Sequence, residues 1–149
     1  MLPQSITLEL VAPDRQVLRD SVESVQLPGL DGELGILPGH APLLTELGIG
    51  ELSYLKSGQR YHATVMGGFA EVLGDRVIVL AERSERAEEI DVARARAAQE
   101  RAEKRLTPTS GPDVDFERVQ NALRRALLRQ LVGSKAAAFP GPTIKHGPR

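Results

Sequence analysis

The chain is predicted to fold as an all-β N-terminal sandwich of about ten antiparallel strands followed by a C-terminal antiparallel two-helix hairpin. Three observations predict it. Short apolar runs alternate with turn residues up to about residue 83, the composition then shifts abruptly to Ala, Arg and Glu, and a Pro/Gly-containing break divides that second part in two. The corresponding domains are residues 1–85 for the sandwich, 86–135 for the hairpin and 136–149 for a disordered tail with three prolines and two glycines.

The strands are read from their two-residue period. Ile6, Leu8 and Leu10 alternate with Ser5, Thr7 and Glu9, as in a strand with one buried face. Val25 and Leu27, Leu52 and Tyr54, and Tyr61, Ala63 and Val65 continue that period. Ser57-Gly58 and Gly74-Asp75 are turn signals, the second closing Phe69–Leu73 onto Arg76–Leu80 as a tight hairpin. Val77-Ile78-Val79-Leu80 is apolar at every position and is expected to lie buried between layers.

The helices are read from composition and caps. Glu88 to Leu106 contains no Gly or Pro and predicts a helix of about five turns. Thr107-Pro108-Thr109-Ser110-Gly111-Pro112 breaks it. Asp113 or Asp115 is placed to cap a second helix, which runs to about Leu131 and ends at Gly133. Phe116, Val119, Leu123, Leu127 and Leu131 form one apolar stripe on it. Two helices joined by a short break fold back on each other as an αα-hairpin.

Composition excludes several kinds of chemistry. There is no cysteine, so disulfides, thiol nucleophiles and Cys-zinc sites are absent. His40, His62 and His146 are too scattered to form a local metal-ligand pair, and no metal site is expected. The first residues lack the basic start and apolar run of a signal peptide, and no stretch approaches the ~20 apolar residues of a membrane helix. Any link to a membrane is therefore expected to run through partners. Residues 1–85 carry 6 Lys/Arg and 12 Asp/Glu, and residues 86–149 carry 13 and 8. An acidic front and a basic back point to two modules with different partners.

At ~100° per residue, Arg94, Arg101 and Arg105 fall together inside the alanine face of the first helix. They either snorkel out of a packed face or await an acidic surface or a phosphate. Arg118, Arg125 and Arg129 fall opposite the stripe on the second helix and read as a solvated face. Alanine packing is weak, since a buried methyl contributes about 0.8 kcal/mol and a leucine ~2 or more. A partner with a differential affinity of a few kcal/mol could therefore open such a hairpin. Opened out, its two helices of about 40 residues would reach roughly 60 Å.

Gly32-Glu33-Leu34-Gly35-Ile36-Leu37-Pro38-Gly39-His40-Ala41-Pro42-Leu43-Leu44-Thr45 resembles the signature stretch of the epsilon subunits of F-type ATP synthases. Gly67–Val72 and Val77–Glu82 resemble later sandwich strands of that family, Ile90–Ala95 the opening of its first C-terminal helix, and Gly111–Phe116 the start of its second. The resemblance spans about residues 5–132.

It implies a non-catalytic central-stalk subunit of a proton-translocating ATP synthase, peripheral on the cytoplasmic face of the cell's inner (plasma) membrane. Implied partners are the gamma subunit, the ring of c subunits, and the catalytic alpha and beta subunits. Glu33 and His40 would face the rotor partners. Extension of the hairpin toward an acidic beta-subunit surface would inhibit ATP hydrolysis, through Arg118, Arg124, Arg125 and Arg129. In some relatives the folded hairpin holds a regulatory ATP; the matching residues here are Glu85, Ile90, Asp91, Arg94, Arg101, Arg125 and Arg129. No cofactor is required. An independent ATP-binding sensor is the alternative reading.

Other functions are weaker. Gly32-Glu33-Leu34-Gly35 lacks the Lys-Ser/Thr of a phosphate loop. Only two Tyr and three Phe are present, none interleaved with the arginine clusters, which argues against a nucleic-acid binder. No nucleophile–base or paired-carboxylate set suggests catalysis.

Overall fold

The structure is a computed structural model that describes residues 4–107, 111 and 113–136. Eight strands come first: β1 (Ile6–Ala12), β2 (Arg15–Val22), β3 (Ser24–Gly29), β4 (Gly32–Ile36), β5 (Leu43–Lys56), β6 (Gln59–Leu73), β7 (Arg76–Ala81) and β8 (Ser84–Arg86). A 3-10 turn (Ala87–Glu89) leads into α1 (Val92–Arg105) and α2 (Phe116–Ala136).

The strands run in the order β2-β1-β7-β6-β5-β3-β4, with β8 also pairing β6. β5 and β6, of 14 and 15 residues, cross both layers of the sandwich. They bend at Gly48 and Gly67, where the paired register passes from Leu47↔Gly68 to Ile49↔Met66. Gly68 is irreplaceable at that bend: φ is 127°, and a Cβ would lie 2.0 Å from the Leu80 carbonyl oxygen. This explains why eight strands replace the expected ten or so, since two long strands each do the work of two short ones. β1 and β7 pair in parallel, contrary to an all-antiparallel expectation. No hairpin joins them, so no turn dictates their relative direction.

The alternating residues read from the sequence do form the core. Leu8, Leu10, Val25, Leu27, Leu52, Val65, Val77 and Val79 are fully buried. Ser57 and Gly58 both take positive φ, of 50° and 75°, the requirement of a two-residue type I′ turn. Leu73 faces Arg76 across the second hairpin, with Gly74 at φ 62°. The expectation of β7 buried on both sides is corrected: Val77 and Val79 point into the core, but Leu80 is 55% exposed on the outer face.

The helices begin and end differently from expectation. The first helix starts at Val92 rather than Glu88, because Glu88 and Glu89 belong to the 3-10 turn and Asp91 caps α1, accepting a hydrogen bond from the Arg94 N–H at 3.0 Å. Asp115, not Asp113, caps α2, accepting from the Arg118 N–H at 3.1 Å. Gly133 does not end α2; it lies buried within it. A Cβ there would sit 2.7 Å from Val92 Cγ2 and 3.0 Å from Ile90 Cγ2. The glycine lets α2 approach the entrance of α1 closely. The interhelical break at 108–110 and 112, and the tail from 137 onward, lie outside the described residues.

Candidate functional site

The interface between sandwich and hairpin is built on one row of residues across three strands. Glu51 of β5 faces Thr64 of β6, which faces Glu85 of β8. This places two carboxylates about two strand spacings apart, roughly 9.6 Å. On α2, Arg129 and Lys135 are six residues apart, a rise of about 9 Å. The match is realised: Arg129 Nε donates to Glu85 Oε1 at 2.7 Å, and Lys135 Nζ donates to Glu51 Oε2 at 2.6 Å. Val132 lies angularly midway between the two cations and is fully buried. Glu51 also accepts from His62 Nδ1 at 2.5 Å through its other oxygen.

Alanines carry the contact between the helices. Ala95 and Ala102 of α1 and Val119 and Ala126 of α2 are buried, and Gln130 Nε2 donates to Gln99 Oε1 at 2.7 Å across the seam. The consequence for α2 reverses a sequence expectation. Its apolar stripe is not the packed face: Phe116, Leu127 and Leu131 are 57%, 46% and 54% exposed, Leu123 is half-buried, and only Val119 is buried. Of the arginine face expected to be solvated, Arg118 is exposed, whereas Arg125 is half-buried beside α1 and Arg129 is half-buried against Glu85 of the sandwich. Small side chains allow close approach and Glu85 offers a partner, so these two features outweigh the leucines.

Toward the end where α1 gives way to α2, the hairpin holds a cleft of about 590 Å³. Arg101 and Arg105 of α1 and Arg118 and Arg125 of α2 line it, with Asp113 and Asp115 beside them. Arg125 has its pKa lowered by burial first, then by the positive charges of Arg83, Arg129 and Arg118. Such a concentration of cations favours an anion.

The chain leading into the hairpin is held by the sandwich. Arg15 Nη1 and Nη2 donate to Glu89 Oε1 and Oε2 at 2.8 and 2.7 Å. Arg86 adds its backbone N–H at 3.0 Å and its guanidinium at 2.9 Å to the same carboxylate. Chiefly through the Arg15 hydrogen bond, the Glu89 carboxyl is pushed down to about 2.

The residues singled out in the sequence separate into several places. Glu85 and Arg129 form the ion pair just described, and Arg101, Arg118 and Arg125 meet at the cleft. Ile90 packs near Gly133, Asp91 is occupied in capping α1, and Arg94 and Arg124 are exposed. Glu33, exposed on β4, lines a hollow of about 350 Å³ with Asp31, Thr45 and Glu46. His40 lies outside that hollow, its Nδ1 donating to the Ala41 carbonyl at 2.6 Å. Sequence reasoning missed Arg15, Glu51, His62, Glu89 and Lys135. Apart from Arg86 beside Glu89, their partners lie 11 to 84 residues away in the chain, and no local period signals them.

On the outer face of the sandwich, Phe69 pairs with Leu80 and Leu80 with Val11. Phe69 is 54% exposed, and Leu44, one row away, is 71% exposed. Together with the outward stripe of α2, this makes two apolar faces that a solvated chain leaves uncovered.

A β-sandwich joined by a stapled linker to a thinly packed helical hairpin, with uncovered apolar faces on both parts, defines a docking subunit of a larger assembly. Residues 5–87 match the family described as the ATP synthase delta/epsilon chain beta-sandwich domain, and residues 88–129 its long alpha-helix domain. The chain is 49% identical over 135 residues to the ATP synthase epsilon chain of Nitratidesulfovibrio vulgaris (strain DP4), covering 91% of this chain and 100% of that one. It is 54% identical over 112 residues to the ATP synthase epsilon chain of Koribacter versatilis, covering 75% and 78%. A chain of the Euglena gracilis mitochondrial ATP synthase, in a structure of its OSCP/F1/c-ring, superposes with a TM-score of 0.74 at 25% identity, covering 93% of this chain and 84% of that one. The Tetrahymena thermophila mitochondrial central stalk/c-ring gives 0.52 at 16% identity, a likeness of fold alone. The chain belongs to the ATP synthase delta/epsilon family, as an epsilon-type, non-catalytic subunit. Among the described residues, no helix is long and apolar enough to cross a membrane.

Proposed function

We propose that the chain is a central-stalk subunit that couples gamma to the c ring during proton-driven ATP synthesis and restrains ATP hydrolysis through its C-terminal hairpin. The observation that carries the inhibitory half is the reversed packing of α2. A helix that turns Phe116, Leu127 and Leu131 to water while half-burying Arg125 and Arg129 has a second partner for its apolar face. Released from Glu51 and Glu85, α2 presents that stripe together with Arg118, Arg124, Arg125 and Arg129 to an acidic surface of the catalytic alpha and beta subunits. The outer patch around Phe69 and Leu80 docks gamma, and the segment from Glu33 on β4 to His40 faces the rotor ring. The subunit is peripheral on the cytoplasmic side of the membrane, held there by these partners.

The test is truncation after Glu89, which keeps the linker staple and the sandwich core. Complexes assembled with residues 1–89 should synthesise ATP at near the full-length rate and hydrolyse it several-fold faster. Unchanged hydrolysis would remove the inhibitory role.

One observation favours a second reading, a nucleotide-dependent switch. The cleft gathers Arg101 and Arg125, two residues that resemblance implicates in ATP binding, within a volume suited to a small ligand. Calorimetry of the isolated chain with ATP should give heat that Arg125→Ala abolishes; no heat from either protein rejects it.

A further inference from the structure

We propose that Glu51, His62 and Lys135 form a proton-sensitive clasp, in which protonation of His62 loosens the hold of the sandwich on the end of α2. The inference rests on the reading of the hairpin as a mobile inhibitory element and supplies a condition that would set it free.

One carboxylate serves two donors. Glu51 Oε1 accepts from His62 Nδ1 at 2.5 Å and Oε2 from Lys135 Nζ at 2.6 Å. The side chains are only 11%, 20% and 35% exposed for His62, Glu51 and Lys135. With a neutral imidazole donating from Nδ1, the cluster holds one anion and one cation and is balanced. A proton on Nε2 leaves one carboxylate facing two cations, and Lys135 is the one that can leave. The bond from His62 to Glu51 is internal to the sandwich and persists whether α2 is docked or released. Its own strengthening on protonation therefore does not favour the docked state.

The surrounding charges leave this sign unchanged. On β6, Arg60 lies two residues from His62 on the same face, bonded to the neutral Ser53 Oγ and Gln26 Oε1. Ser53, directly opposite His62 on β5, brings no charge. On β8, Glu85 is taken up by Arg129 of α2. Arg86, which pairs opposite Ala63, is engaged with Glu88 and Glu89 of the 3-10 turn, and Glu89 also with Arg15. Glu33 of β4 lines a hollow with Glu51, but it is exposed and belongs to the sandwich, so its charge is the same whether α2 is docked or released. Proton binding at His62 and docking of Lys135 oppose each other, and each weakens the other equally.

The chain contains no cysteine, so two can be introduced for dyes. Full-length chain carrying Glu23→Cys on the sandwich and Gln120→Cys on α2, both exposed, is labelled with a donor–acceptor pair and assembled with its complex. The ratio of docked to released hairpin should fall about threefold to tenfold from about pH 8 to about pH 6. His62→Gln keeps a donor for Glu51 but takes no proton; it should stay docked and lose the pH response. Lys135→Gln should dock less at both pH values and lose the response too. A pH response that survives either substitution overturns the clasp while leaving the mobile hairpin intact. Energy transfer that never changes, even with Arg129→Ala and Lys135→Ala combined, overturns both the clasp and the mobile-hairpin reading beneath it.

Discussion

Arg15 and Glu89, 74 residues apart in the chain, are joined by two parallel hydrogen bonds of 2.8 and 2.7 Å. This fork ties the start of β2 to the last residue of the 3-10 turn, so the linker is held to the sandwich through Glu89. Ile90 alone separates that staple from the Asp91 cap that opens α1.

The staple sets an acid limit. Glu89 titrates at about 2 in the folded chain instead of an ordinary 4.5, so its contribution is full above about pH 4.5 and is lost as pH falls toward 2. Both partners are partly solvated, which screens the pair and leaves about 1 kcal/mol. Thermal unfolding of Glu89→Gln should lie below wild type by that amount at neutral pH, and the two should converge near pH 2. A gap that persists there would show that the loss has another origin.

Gly133→Ala separates two effects of opposite sign. Helix propensity alone favours Ala by about 1 kcal/mol. The new methyl would meet Val92 and Ile90 at 2.7 and 3.0 Å, an overpacking cost of typically 1–3 kcal/mol. We expect the clash to win, with faster amide exchange in α2 near the sandwich while the strands keep their protection. Slower exchange in α2 would mean that the contact yields.

The outer sandwich patch should matter only in the assembly. Phe69→Ser with Leu80→Ser removes two half-exposed side chains, at little cost to the isolated fold. The same pair should weaken retention of the subunit in the complex at least tenfold, as co-purification reads. Wild-type retention would place the docking surface elsewhere.

Much of the sandwich is legible because its determinants are local. Ile6, Leu8 and Leu10 declare an inward face by alternation, and Ser57-Gly58 and Gly74 announce their turns. The strand count is less so, because the bend at Gly48 and Gly67 lets one strand span two layers. The orientation of α2 is not legible at all. Apolar periodicity selects the Phe116–Leu131 stripe as the packed face, whereas steric fit at Ala126 and Gly133 and the carboxylates of Glu51 and Glu85 select another. Of the implicated arginines, Arg101, Arg118 and Arg125 gather at the cleft and Arg129 at Glu85, while Arg94 and Arg124 stay outside. Sequence names such residues; only the register between helices and sheet says which of them meet.

The outward stripe of α2 is tested most directly by ATP hydrolysis in complexes carrying Leu127→Ser and Leu131→Ser. Both side chains are about half exposed in the docked hairpin, so the isolated chain should unfold within about 0.5 kcal/mol of wild type. Hydrolysis should rise to the level given by the chain truncated after Glu89, with the subunit still bound. Inhibition equal to wild type would show that the stripe is not the contact by which the hairpin restrains the enzyme.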